Sequence, residues 1–208
     1  MTVGSVEPLK KLYARWSGEI HFVDVLVRQA HPGPGAPTYH SFGQKLADAR
    51  CYVEGERIPW VVLVDQLDGR NHLSYGGLAD PTYLIDADGR VAYYNMWTYG
   101  PSLYQAIDAL LRQGGRGVVL GGINRGLHMQ PALTEGWPGL RKGLPQSYVE
   151  MELATPGSAT MVGLGYLAAP LVAPLTLRSR PLPAGAKAAL ALGAAGMVFL
   201  GARRLLRG

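Results

Sequence analysis

The sequence predicts an α/β domain over residues 1–113 and an extended, partner-wrapping Gly/Pro-rich segment over 114–158. An apolar membrane-interface or re-entrant segment over 159–182 and a C-terminal transmembrane helix with a basic end over 183–208 complete it. Three observations carry this. Up to residue 113, short Val-rich runs alternate with segments of helical period. Within that stretch DADG stands between two apolar runs, the sign of a tight hairpin. Beyond Gly114 the texture changes to glycine and proline, then to uncharged apolar residues closed by arginines.

Residues 6–17 read as a helix, with Ser5 as N-cap, Pro8 tolerated in the first turn, and Leu9, Leu12, Tyr13 and Trp16 on one face. Residues 21–27 are a buried strand, followed by a loop over 28–40 rich in Pro and Gly. A second helix is expected at about 41–54, with Phe42, Leu46, Ala49 and Val53 inward. WVVLV at 60–64 is a second buried strand, and 65–80 a polar loop. TYLID and RVAYYNM form the hairpin about the turn at Ala87, Asp88 and Gly89. Residues 101–113 are a helix between Pro101 and Gly114. The order α-β-α-β-β-β-α argues for a sheet with helices packed on it.

Residues 114–158 hold ten Gly and four Pro and lack the periodicity for a core of their own. Their single apolar anchors, Leu120, Met129, Trp137 and Tyr148, suit an extended segment lying along a partner. Residues 154–177 carry no charge, but Pro170 and Pro174 oppose a straight span. The uncharged run from Ala188 to Ala202 falls short of the roughly 20 residues that a bilayer needs. Lys187 and Arg203 would snorkel to complete this span, which holds Met197 and Phe199, and Arg203, Arg204 and Arg207 make its basic end. The competing reading is a C-terminal amphipathic helix docked on protein.

Hydrophobic residues make up 48% and charged residues 17%, too polar for a multi-span membrane protein. The net charge of +5 is divided unevenly: 10 − 12 = −2 over residues 1–112 and 10 − 3 = +7 over 113–208. A basic, apolar tail points to a membrane surface or a protein partner. Nucleic acid is not expected, because the cations are scattered without interleaved aromatics. The single cysteine, Cys51, excludes an intrachain disulfide. Residues 1–20 contain no apolar core segment of a signal peptide.

The stretch ADPTYLIDADGRVAYY resembles the second half of a thioredoxin-fold domain. There a Pro-Thr pair, usually behind a cis peptide, precedes a strand, a DG turn and a last strand; the matching residues are Pro81, Thr82 and Gly89. Gln29-Ala30-His31-Pro32, the strand Pro59 to Asp65 and Tyr75-Gly76-Gly77-Leu78 extend the likeness to the iodothyronine-deiodinase-like, redoxin branch of that fold, over about residues 6–113. The resemblance implies a catalytic cysteine or selenocysteine just before the first matching helix, behind a central strand. Here the chain opens MTVGSVEPLKK, without that strand and with no cysteine in residues 1–50, so a truncated domain lacking its nucleophile is expected.

His31 is then a relic of a family site, and Cys51, inside the second helix, a small core residue. No His spacing suits a metal; the pair His31 and His40 is the nearest to one, and neither metal nor cofactor is expected. Aspartates 65, 68, 86 and 88 fall at strand ends and turns, where they serve local geometry. The missing strand should lie between those at 21–27 and 82–86, leaving two open edges.

The function expected is a non-catalytic, membrane-anchored accessory or structural subunit of a larger membrane protein complex. Reaction-centre or respiratory complexes are the class in view, a choice that no single residue fixes. The alternative is a membrane-tethered thiol peroxidase or reductase using Cys51 or an upstream cysteine. A soluble binding module is the third reading. A single-pass protein with its soluble domain on the cytoplasmic side is expected.

Overall fold

Helix α1 (Thr2–Trp16) is the element on which everything else is laid. It is longer than its sequence pattern suggests: Ser5 lies inside it, buried, and is not its cap, and Pro8 is internal. Pro8 has no N–H for the helical bond. The computed structural model describes residues 2–29, 32, 37–78, 80–124, 129–176 and 182–205, with backbone alone for 2–4, 129–135, 172–176, 194 and 197–205.

Strand β1 (Val23–Leu26) follows, then α2 (Phe42–Glu56) and β2 (Val61–Val64). Ser41 caps α2 in extended geometry, its hydroxyl accepting from the Gln44 N–H at 3.2 Å. A short helix α3 (Arg70–Ser74) interrupts the expected polar loop. Strands β3 (Thr82–Ile85) and β4 (Val91–Asn95) form the hairpin, and α4 (Gly100–Arg112) closes the α/β part. A Cβ on Gly100 would stand 2.8 Å from the Pro8 Cβ, so glycine lets α4 touch α1 there.

The strands make two separate sheets. β1 and β2 are parallel, with Val23 opposite Val61 and Val25 opposite Leu63. β3 and β4 are antiparallel, with Leu84 opposite Tyr93. Helix α1 spans both. Its Leu12 and Trp16 join Leu84, Ala92, Tyr93 and the inner face of α4 in one core. Its Val6 joins Ile58 and Trp60 in a second, and Leu9 and Phe22 touch both. Each aliphatic side chain fully withdrawn from water there is worth about 1.5–3 kcal/mol.

The expected buried strands are covered on one face only. Val23, Val25, Val61 and Leu63 share the other face and are each about half exposed, Val61 at 57%. A parallel pair normally has both faces covered, which is why Val-rich runs read as buried.

The region 114–158 is not extended. Its first part passes along the outer edge of β4, where the Val119 N–H donates to the Ala92 carbonyl (3.1 Å) and the Asn124 N–H to the Tyr94 carbonyl (2.8 Å). Leu120–Gly122 is a single 3-10 turn. The rest is helical: α5 (Met129–Lys142) and α6 (Gln146–Ala154). The glycines that suggested an open chain serve close packing against α7 (Ser158–Thr176). A Cβ on Gly136 would lie 3.2 Å from Val162, and one on Gly163 3.2 Å from the Trp137 ring. Helix α5 also packs along α1.

Helix α8 (Ala184–Leu205) occupies the expected transmembrane region. Among the described residues, however, no helix is long and apolar enough to cross a membrane. This overturns the transmembrane helix and the single-pass localisation. The physical reason lies in composition. Alanine and glycine dominate α8 and add little apolar surface, while Lys187 and Arg203 leave an uncharged run below the required length. The protein is a mixed α/β chain with predominant helix, not a truncated α/β domain with an anchor.

Candidate functional site

Two polar centres and one apolar surface stand out. The first centre involves β1 and the residue before β3. Asp24, in the middle of β1, accepts a hydrogen bond from the Tyr52 hydroxyl at 3.0 Å. Burial raises its pKa, partly offset by Trp60 and Tyr52; the Trp60 N–H lies close but outside hydrogen-bond geometry, and it has no other partner. Burial, then the neighbouring Asp24 charge, raises the Tyr52 phenol in turn.

Asp80 stands just before β3. Its backbone carbonyl accepts from the Thr98 N–H at 2.8 Å, its Oδ1 accepts from the Thr98 hydroxyl at 3.3 Å, and its Oδ2 is buried without a partner. Burial pushes its carboxyl up to about 6, the nearby Asp24 adding to this and the amino terminus and Thr98 offsetting part of it. Such a group exchanges a proton near neutral pH or receives a cation. Neither carboxylate hydrogen-bonds a cysteine, serine or lysine among the described residues, so the centre holds no activated nucleophile.

The second centre closes the end of β2. Lys45 is 1% exposed, and its ammonium donates to the carbonyls of Asp65 (2.8 Å) and Gln66 (3.3 Å). Burial lowers its pKa, while Asp65 and Asp68 oppose that shift. The Asp65 carboxylate accepts from the N–H groups of Gln66 (2.8 Å) and His72 (3.0 Å) and from the Asn71 side chain (2.9 Å). Burial raises its pKa, but these bonds outweigh it and hold the carboxyl low. Asp65 thereby satisfies the free N–H groups at the start of α3. The His72 ring meets the Leu78 carbonyl at 2.6 Å. Every member is satisfied, which makes this a structural lock.

The apolar surface runs along α6 and α7. Met161, Leu164, Leu167 and Leu171 form one stripe on the side of α7 away from Val162, with Leu167 76% and Leu171 80% exposed. Val149 and Leu153 add to it from α6. Exposed aliphatic stripes of this extent mark contact surfaces.

The residues singled out from sequence are dispersed. His31 lies outside the described residues, so the pair with His40 does too. Cys51 is exposed on α2, not a core residue: Tyr52, its neighbour, takes the inward position. Asp80–Pro81 is not cis; the one cis peptide among the described residues is Leu144–Pro145. Thr82 hydrogen-bonds Thr98 at 2.7 Å, and Gly89, at φ 78°, turns the hairpin that Asp86 braces by accepting from Asp88 and Arg90. Leu120 is exposed. Trp137 packs on Gly163 and Tyr148 bonds Thr160 at 2.7 Å, contacts within the chain's own helices. The side chains of Met129, Met197, Phe199, Arg203 and Arg204 lie outside the described residues; Lys187 is exposed. Among the described residues no group of three His, Cys, Asp or Glu is placed to hold a metal.

Sequence reading missed Asp24, Asp80 and Lys45. An aspartate inside an otherwise Val-rich strand was the available signal for the first. No protein-family model matches the chain, and no curated protein and no solved structure is significantly similar to it.

Proposed function

We propose that this chain is a non-catalytic accessory subunit that binds other protein subunits. What supports the reading most is the leucine stripe of α7, on a helix that carries no charged residue from Ser158 to Thr176. A helix face of that kind is stable in water only when covered. The half-exposed Val/Leu face of the β1–β2 sheet adds a second uncovered apolar surface. On the chemical side, neither carboxylate of the first centre hydrogen-bonds a cysteine, serine or lysine among the described residues. A membrane anchor is no part of the proposal.

The test is native mass spectrometry of the protein isolated from its own source under mild conditions, beside the variant Leu164→Asp/Leu167→Asp. A complex of fixed stoichiometry that the variant loses, with its circular dichroism unchanged, is the expected result. A wild-type chain found free, or a complex that the variant keeps, refutes the reading.

A further inference from the structure

Among the described residues the β1–β2 sheet has both edges unpaired and the β3–β4 sheet has one. The outer edge of β4 is closed by the chain from Val119 to Asn124, through the hydrogen bonds to Ala92 and Tyr94. The unpaired edge of that sheet is therefore β3. β1 pairs only with β2 among the described residues. Two observations place β1 near β3, on either side of a slot. Phe22, directly before β1, packs against both cores, including the one holding Leu84 of β3. Asp24 of β1 is near enough to Asp80, at the start of β3, for their charges to interact.

Unpaired edges are templates for an added strand. The chemistry at this slot is specific. Two carboxylates border it, Asp24 and Asp80, the latter with a buried oxygen that has no partner. No lysine or arginine side chain among the described residues pairs with either carboxylate. A strand that carried a cation there would complete both the ladder and the charge.

We propose that an extended segment of a partner protein enters the slot between β1 and β3 as an added strand and sets a lysine against Asp24 and Asp80. This rests on the accessory-subunit reading and names the chemistry of its partner. It accounts for the split of four strands into two sheets as a seat for a fifth.

The test uses the full chain, free and in the isolated complex. Hydrogen exchange is followed over 23–26 and 82–85, and the complex is treated with a carbodiimide, which joins a carboxylate to a lysine amine as an amide with loss of water. The expected result is that both strands gain protection together in the complex. A cross-link should run from Asp24 or Asp80 to a lysine in an extended segment of another protein, and Asp24→Asn/Asp80→Asn should weaken the complex at least ten-fold. A complex in which neither strand gains protection overturns the slot and leaves the accessory-subunit reading standing. A cross-link to a second copy of this chain, or to its own lysines, overturns the proposed occupant. Absence of any complex overturns both.

Discussion

Replacing Asp80 by asparagine should stabilise the free chain at neutral pH and leave it unimproved in acid. The carboxyl rises from its ordinary 3.8 to about 6, with burial as the main cause. At about 1.36 kcal/mol for each factor of ten in proton affinity, the ionised form costs the folded state roughly 3 kcal/mol. Asparagine keeps the oxygen that accepts from the Thr98 hydroxyl. Weakening that bond from charged to neutral returns about 1 kcal/mol, so the net gain is about 2 kcal/mol at neutral pH. The sign follows from proton linkage. A carboxyl whose folded pKa is raised binds more protons folded than unfolded, so its contribution is full below 3.8 and is lost as pH rises through about 6. Urea unfolding of both proteins at pH about 4 and about 7.5 is the assay, and a gain of 2 kcal/mol moves the midpoint by about 1 M. Equal destabilisation at both pH values would refute the reasoning, because it would mean that the Asp80 charge is already compensated in the free chain.

Further substitutions at three positions test the packing. Lys45→Ala removes a buried stem and the donor to the Asp65 and Gln66 carbonyls, and should cost about 3 kcal/mol by urea unfolding; Lys45→Met, which keeps the stem, should recover part of this. Gly100→Ala sets a methyl against Pro8 and should cost about 1–3 kcal/mol. By contrast Gly55→Ala in α2 meets nothing within 4 Å and should gain up to about 1 kcal/mol. If the two glycine variants behave alike in thermal unfolding, the α1–α4 contact is not as close as described.

What was legible in the sequence was local. The hairpin follows from turn chemistry: Gly89 takes a positive φ and Asp86 accepts the N–H groups of Asp88 and Arg90, all within five residues. The bounds of α4 follow from Pro101 and Gly114 in the same way. What was not legible depends on partners distant along the chain. Lys45 reads as a solvated position on a helix, and its burial is set by carbonyls at 65 and 66. Asp24 and Asp80 come together only through the packing of α1 against both sheets. Gly136 looks like a glycine of an open chain, yet it allows close helix contact with Val162; flexible and tightly packed glycines share one symbol. The misjudged transmembrane helix has the same root, because Ala/Gly content suits both a span and a packed helix until length and charge are weighed.

Asp80 lets stability and binding be separated on a single residue. A carboxylate that served only the fold of this chain would lose stability and any complex together when replaced. A carboxylate whose partner arrives from outside behaves otherwise: the free chain gains when the charge is removed, and the complex loses. On the proposal above Asp80 belongs to the second class: its Oδ2 is buried and unpartnered, and the amino terminus offsets only part of its charge. Opposite shifts in the two measurements are what distinguish a binding residue from a structural one. The strand edges on either side then explain why the cation would come from an extended segment: its backbone meets β1 and β3 as its side chain meets the acids.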